Sequence, residues 1–346
     1  MFRNALPVAV VDDPVFDRHR SRGHHPERPE RLEAVRAALG RAQIQLIPIA
    51  ARDAEDEELL RVHEASYLED LARMAGREGH LDPDTYMAPD SVAAARRAAG
   101  GACSLVEALL DGRAQRGVAL LRPPGHHARP DQAMGFCLLN NIAIAAAHAL
   151  AHGIKRVAIV DWDVHHGNGT QEMFWEDGRV LYASIHQSPF YPGTGEATEV
   201  GEGPGLGKTV NVPLSSGAGD AEYAAAFERV FVPILDAFQP ELVLVSAGFD
   251  AHRNDPIAGM RLEPGSYARM TRYLLDVAER HASGRMALVL EGGYDLSGLE
   301  ASFLASLRTL AGVPPTLPSP DRPGAIYDRE IERARGILRE HWACLG

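Results

Sequence analysis

Cysteine is scarce in this chain: Cys103, Cys137 and Cys344 are the only three in 346 residues. Three thiols cannot make a disulfide framework or a Cys-rich zinc module, and the count suits a reducing compartment. Lysine is scarcer still. Lys155 and Lys208 stand alone among 35 basic residues, an arginine bias that fits a GC-rich bacterium. Positive charge is in deficit as well. The 47 acidic residues leave a net charge of -12, which removes the electrostatic footprint for nucleic acid or an anionic membrane and favours cationic partners. No apolar run reaches the roughly 18 residues of a membrane span. Residues 1–16 carry Asp12 and Asp13 and have no apolar core, so no signal peptide is expected and the expected location is cytoplasmic.

What is present is an alternation. Short apolar, β-branched runs lie at 8–11, 45–49, 118–121, 156–161, 180–185, 242–247 and 286–290. Between them are helical patterns at 29–39, 65–74, 91–110, 139–152, 221–238, 266–282 and 299–310. Continuous apolar runs of this length suit strands buried on both faces of a parallel sheet. Strand and helix in alternation imply an α/β fold with right-handed crossovers. A chain this long buries about 75% of its unfolded surface without staples. There is no internal repeat. The Gly- and Pro-rich stretch 189–207 reads as a long surface loop. A second such stretch, 313–324, leads to a last helix at 328–341, packed outside. One domain is expected.

Polar residues collect just past four of the runs. They form Arg122-Pro-Pro-Gly-His-His127, Asp161-Trp-Asp-Val-His-His-Gly-Asn168, Gly248-Phe-Asp-Ala-His252 and Glu291-Gly-Gly-Tyr294. In open α/β sheets, ligands bind beyond the carboxyl ends of the strands. Residues two apart in extended chain face one side, so Asp163 and His165 can share one ion. Asp250, at another strand end, is the best third ligand. Two carboxylates and one imidazole suit zinc or iron(II) with an open position for water. A lone Asp-x-Asp is more often a helix cap or an ion pair. His165 at the next alternate position, with three other polar strand ends, argues for the metal.

His126 and His127 follow Pro-Pro-Gly on a constrained loop. A metal-activated water needs a base, and the leaving group an acid. Two imidazoles supply both if Asp161 and Asn168 orient them. A carboxylate beside one and an amide beside the other pushes their pKa values apart. Tyr294, after two glycines, is placed to donate to a developing oxyanion. His19, His63, His80, His148, His152, His281 and His341 lack such company and read as structural or exposed.

Together these segments resemble the histone deacetylase superfamily, which includes acetylpolyamine amidohydrolases. The matching stretches are 25–32 (His-Pro-Glu-Arg-Pro-Glu-Arg-Leu), 122–127, 135–141 (Gly-Phe-Cys-Leu-Leu-Asn-Asn), 161–170, 246–252 and 291–294, in the family's order. Asn168 is similar to the class II branch, here of bacterial type. The resemblance implies an arginase-like single-domain three-layer fold, an open parallel sheet of about eight strands with helices on both faces. It makes residues 1–346 one catalytic domain, with a C-terminal helix at about 325–342 outside it. It implies zinc on Asp163, His165 and Asp250, with Tyr294 polarising the amide carbonyl. His127 becomes base and then acid, and His126, held by Asp161, an electrostatic partner, a division the sequence leaves open. The Gly135 carbonyl accepts the substrate amide N–H. Phe136 and Tyr191 match the two aromatic walls of an acyl-lysine tunnel, with Tyr191 in place of the usual Phe. Arg31 matches an arginine lining a channel for the released carboxylate, and Asp84 lies near a rim residue that grips the substrate backbone. A structural potassium ion is implied on Asp161, Ser184 and Ile185 with the backbone of Asp163 and His165. A second potassium involves Phe174, Asp177 and Val180.

The family acts on acyl-lysines of proteins and on polyamines. One polyamine branch places Glu after the Asp-Pro that follows the third ligand; here Asp255-Pro256 is followed by Ile257. The stretch 76–89 is short compared with the mouth-closing insertion of bacterial acetylpolyamine enzymes. Some bacterial acetylpolyamine enzymes also have an apolar residue at the position of Ile257, so that feature does not exclude polyamines; the short stretch leans toward an open mouth and acyl-lysine peptides, with acetylpolyamines the alternative. An arginase-type ureohydrolase would need further carboxylates. A non-catalytic scaffold would be expected to lack Tyr294 or a histidine. Oligomeric state is open.

Overall fold

The computed structural model describes residues 5–315, 317 and 319–346. The expectations for residues 1–16 and 313–324 therefore fall partly outside the described residues. The strands are β1 (Val8–Val11), β2 (Leu46–Ile49), β3 (Gly79–His80), β4 (Tyr86–Met87), β5 (Arg116–Ala119), β6 (Val157–Asp161), β7 (Val180–Gln187), β8 (Thr209–Leu214), β9 (Leu242–Ala247) and β10 (Met286–Leu290). Eight of them form one parallel sheet in the order β2-β1-β5-β10-β9-β6-β7-β8. β3 and β4 form a separate antiparallel pair. Every residue of β6, β9 and β10 is buried, as their apolar runs require of strands covered on both faces. The single-domain three-layer α/β architecture expected from the sequence is the one observed.

Two prolines explain the sheet's limits. Pro48 lies in β2 and Pro213 in β8, the two edge strands, where a missing N–H interrupts no central ladder. The edge at β8 is covered by the last helix, Ala325–Leu338. Glu330 accepts from the Ser215 N–H at 3.0 Å, and Trp342 Nε1 donates to the Gly207 carbonyl at 2.7 Å.

β8 is absent from the runs read in the sequence, because Asn211 and Pro213 break its apolar pattern. Asn211 is fully buried and donates to Gln171 Oε1 at 2.7 Å, so a tertiary contact makes it a strand residue. β5 begins two residues before the expected 118–121. The expected helix 221–238 is three pieces, Asp220–Ala226, a π turn Phe227–Phe231 and Val232–Phe238. Pro233, which has no N–H for a helical bond, lies in the first turn of the last piece.

The register sets the level of the site. Asp161 at the end of β6 pairs with Ser184 of β7 and Ser246 of β9, and Leu290 of β10 pairs with Ala247. Three neighbouring central strands thus stop together, and the segments after them share one crevice. The loop after β5 enters beside β10.

Histidines read as structural serve the frame. His63 is buried; its Nε2 accepts from the Asn140 N–H at 3.0 Å, so its Nδ1–H donates to the Arg129 carbonyl at 3.0 Å. It joins the loop after His127 to Asn140, whose side chain caps the helix Asn141–Ala151. Burial lowers its pKa to about 4. The folded pKa lies below the unfolded value, so this stability is present above about pH 6.5 and lost as pH falls toward 4. Unfolding free energy is expected to drop by roughly 2 to 3 kcal/mol from this group between neutral pH and pH 4.5. Denaturant titrations across that range check the loss, and NMR should find His63 neutral throughout its upper part.

Candidate active site

Asp163, His165 and Asp250 converge just past β6 and β9. One ligand atom from each lies within 4.8 Å of the other two, and all three residues are buried. His165 turns Nδ1 to the carboxylates, 3.1 Å from Asp163 Oδ1 and 3.2 Å from Asp250 Oδ2. Backbone donors fix the acids. Asp163 Oδ2 accepts from the Gly292 N–H at 2.8 Å, and Asp250 Oδ1 from the Val164 N–H at 2.9 Å. The His165 Nδ1–H bonds Asp163, which leaves Asp250 Oδ2 with no hydrogen bond. Two glycines make the room. A Cβ on Gly292 would lie 2.1 Å from Asp250 Oδ2, and one on Gly248 2.1 Å from Asp163 Oδ2. Burial lifts the Asp250 carboxyl above the usual range, and Asp163 adds to the effect. Burial opposes charge on His165, yet the two carboxylates push its pKa up to about 10. A buried orphan oxygen beside a second carboxylate asks for a cation, and this donor set fits a divalent one.

A second cluster, Glu58, Cys103 and His148, is also buried. There Arg52 grips both Glu58 oxygens, at 2.7 and 2.5 Å, and also pairs with Glu107. Its charges are already balanced within the protein.

The His pair sits above the carboxylates, ring centroids 4.0 Å apart. His126 Nδ1–H donates to Asp161 Oδ2 at 3.0 Å, and His127 Nδ1–H to Asn168 Oδ1 at 2.9 Å. Asn168 Nδ2 donates to Met134 Sδ at 3.3 Å, which fixes the amide's orientation. Each ring therefore keeps Nε2 for the crevice. Their electrostatics diverge. Burial disfavours charge on His126, but Asp161 and Asp163 outweigh it and push its pKa up to about 10. Burial, with His126 and His165 nearby, holds His127 well below the usual imidazole range.

A cavity of about 230 Å³ is lined by His126, His127, His165, Gly135, Phe136, Tyr191, Tyr294, Asp84 and Ile257, with Pro124, Phe190 and Gly292. It brings His126, His127 and Tyr294 together with the expected residues Gly135, Phe136, Tyr191, Asp84 and Ile257. Gly135 has φ +57°, and a Cβ there would meet His127 Cδ2 at 2.4 Å, so only glycine fits. Its carbonyl accepts from Cys137 Sγ at 3.3 Å. A larger groove of about 1120 Å³ lies behind Asn168, away from the carboxylates.

Other expected residues lie apart. Arg31 is fully buried and does not line the cavity. Its guanidinium sits 5.0 Å from the Tyr294 ring centroid, donates to the Gly293 carbonyl at 2.7 Å and also bonds the Glu291 carbonyl. Asp161, Ser184 and Ile185 are buried behind the metal-type cluster. There Ser184 Oγ is 2.9 Å from His186 Nδ1. Phe174, Asp177 and Val180 share a turn in which the Val180 N–H bonds the Asp177 carbonyl at 3.3 Å, while the Asp177 carboxylate holds Arg179.

Four groups carry structural weight the sequence reading did not assign. Phe190 stacks on His165 at 5.2 Å, one residue before the wall chosen. Glu291, fully buried, accepts from the Gly125 N–H at 2.7 Å and the His126 N–H at 3.2 Å. Its signal, an acid directly after an apolar strand, is the one that marked Asp161. Tyr182 donates to Asp161 Oδ2 at 3.2 Å. Asp255 accepts from the Tyr294 N–H at 2.7 Å and the Ile257 N–H at 3.1 Å, tying the rim to the tyrosine.

The fold and this crevice define an α/β protein with a divalent-cation-type cluster at the carboxyl edge of a parallel sheet. The sequence profile of the histone deacetylase domain matches residues 25–310, and the chain belongs to that family. It is 43% identical, over 90% of its length, to the histone deacetylase-like amidohydrolase of Pseudomonas aeruginosa, covering 84% of that protein. It is 44% identical to histone deacetylase 15 of Arabidopsis thaliana over 93% of this chain and 59% of that one. It is 43% identical to the human polyamine deacetylase HDAC10 over 92% of this chain and 50% of that one. The chain thus spans about half the length of some curated relatives. The crystal structure of the HDA15 HD domain superposes with a TM-score of 0.91 at 42% identity, covering 98% of each chain.

Gly292→Ala is expected to weaken any divalent-cation binding at this cluster by about 10- to 100-fold, by displacing two carboxylates. Calorimetric titration checks it. Gly336→Ala, where a Cβ meets nothing within 4 Å, should bind as the parent does.

Proposed function

We propose that this protein is a divalent-metal-dependent hydrolase of N-acyl amines that removes acetyl or longer acyl groups from lysine side chains. One observation carries the reading. Two histidines with their Nδ1 atoms engaged, a tyrosine and His165 line one narrow cavity, and Asp163 and Asp250 hold His165 at 3.1 and 3.2 Å. Bound zinc, or iron(II), on Asp163, His165 and Asp250 would supply Lewis acidity toward a water molecule and the acyl carbonyl. His127, kept neutral by burial and the neighbouring imidazoles, takes the water's proton on Nε2 and later gives it to the departing amine. His126, kept charged by Asp161, steadies the negative charge that grows between them. Tyr294 donates its hydroxyl hydrogen bond to the acyl oxygen. Phe136, Phe190 and Tyr191 flank a slim alkyl chain and exclude water. The Gly135 carbonyl accepts the amide N–H, and Asp84 receives a peptide N–H at the rim. The C–N bond breaks, yielding a carboxylate and a free amine. A potassium ion at Asp161, Ser184 and Ile185 would stiffen the segment that carries Asp163 and His165. A second would sit at the turn of Phe174, Asp177 and Val180.

Acetylpolyamines are the second reading, supported by the likeness to a polyamine deacetylase. Ile257 lines the cavity without a carboxylate for a second ammonium, while Asp84 lines the same cavity and offers one.

Turnover of acetyl-lysine peptides, longer acyl-lysine analogues, acetylputrescine and acetylspermidine by zinc-loaded protein tests this. Peptide hydrolysis is expected, falling about 100-fold or more in Tyr294→Phe and abolished by chelation. Turnover of polyamines alone would select the second reading, and no turnover would leave a non-catalytic fold. Asp255→Ala should lower kcat about tenfold or more with little change in KM, since it acts on the tyrosine's position. Asp255→Asn should recover part of it. In a Tyr294→Phe background Asp255→Ala should add almost nothing.

A further inference from the structure

A net charge of -12 predicts an acidic surface, yet one wall of the catalytic mouth is basic. Arg20, His24, His25 and Arg28 line a cavity of about 180 Å³, and Arg22 and His80 extend it into a groove of about 470 Å³. Glu30 and Glu78 are the acids on these walls, and Arg22 takes Glu78 at 2.7 Å. Glu27, in the same loop, is fully buried and consumed by Arg31 and Arg122. Arg20 and Arg28 have no carboxylate partner among the described residues. Elsewhere arginines are commonly paired, as Arg36, Arg52, Arg97 and Arg280 are.

This patch joins the catalytic cavity through His25. The His25 ring meets the wall residue Phe136 edge-on at 4.7 Å, and its Nε2 is 3.1 Å from the carbonyl of the rim residue Asp84. His25 lines the basic cavity as well, so that cavity borders the catalytic mouth on this side.

We propose that residues 20–28 form a docking surface for an acidic stretch of the substrate polypeptide, next to the acyl-lysine that enters the cavity. The proposal rests on the deacylase reading and specifies its substrate class. Arginine forks suit carboxylate side chains, and an exposed patch of one sign sets orientation and encounter more than raw affinity. Asp82 and Asp84 stand beside His25 at this edge of the mouth, the Asp84 carbonyl 3.1 Å from its Nε2, so the selection rests on Arg20 and Arg28. An acidic flank would favour one direction of chain across the mouth.

The test uses the full, zinc-loaded chain and acyl-lysine peptides differing only in Asp/Glu, neutral or Arg flanks. The acidic flank should lower KM by roughly three- to tenfold against neutral, the size expected of one or two exposed charge pairs. The gain should shrink as ionic strength rises. Arg20→Gln with Arg28→Gln should erase it while leaving kcat and the neutral-flank KM unchanged. Equal KM values, a preference for Arg flanks, or an unchanged preference in the double variant would each overturn the proposal. Fluorescence anisotropy with a labelled, unacylated acidic peptide reads docking separately from catalysis. Binding lost in the double variant supports the surface even if no peptide is cleaved. Absence of binding, or a response to inorganic phosphate alone, overturns it.

Discussion

The structure turns on how much negative charge it buries at one place. Asp161, Asp163, Asp250 and Glu291 lie almost fully out of solvent at the carboxyl edge of three neighbouring strands. An uncompensated buried carboxylate is costly enough to unfold a domain, so each needs donors or a cation. The local architecture is a set of answers to that demand. Backbone N–H groups of Gly125, Val164 and Gly292 point inward, His126 and His165 lend imidazoles, and glycines at 248 and 292 let the carboxylates pack against main chain. The one oxygen left over, Asp250 Oδ2, is where a divalent ion fits.

A second buried charge group braces the first. Glu27 meets Arg122 and Arg31, and Arg31 reaches the carbonyls of Glu291 and Gly293. Each arginine serves two segments. The loop after β1 is thereby fastened to the loop after β5 and to the turn that carries Tyr294. Burial pushes the Glu27 carboxyl upward, but the Arg122 charge beside it holds it well below the usual carboxylate range. Rigidity at the tyrosine comes from this bracing on one side and Asp255 on the other.

The same logic separates the two histidines. They are neighbours in sequence and share one cavity, and both are buried. Their partners differ, a carboxylate for one and an amide for the other. In a dry crevice the carboxylates of Asp161 and Asp163 keep charge on His126, while burial and the charges of His126 and His165 leave His127 its lone pair.

Much of this was legible in the residues. Apolar runs located seven of the eight main-sheet strands, and the polar residues beyond four of them located the crevice. Alternation placed Asp163 and His165 together, and the need of each imidazole for an acceptor on its far nitrogen proposed Asp161 and Asn168 as partners for the histidines. The strand runs and the Asp163–His165 pair are short-range facts, set by the two-residue period of extended chain and by which residue types tolerate burial; the histidine partners, 35 and 41 residues away, followed from the chemistry that orients an imidazole. β8 escaped because its place depends on Asn211 meeting Gln171, a contact forty residues apart. Phe190 as a wall, Arg31 beneath Tyr294 rather than on the cavity, Asp255 as the tie to the rim and the unpaired arginines at the mouth were decided only in three dimensions. Each depends on which strand ends lie side by side and which charges find partners across the fold, and neither local periodicity nor a net charge of -12 contains that information.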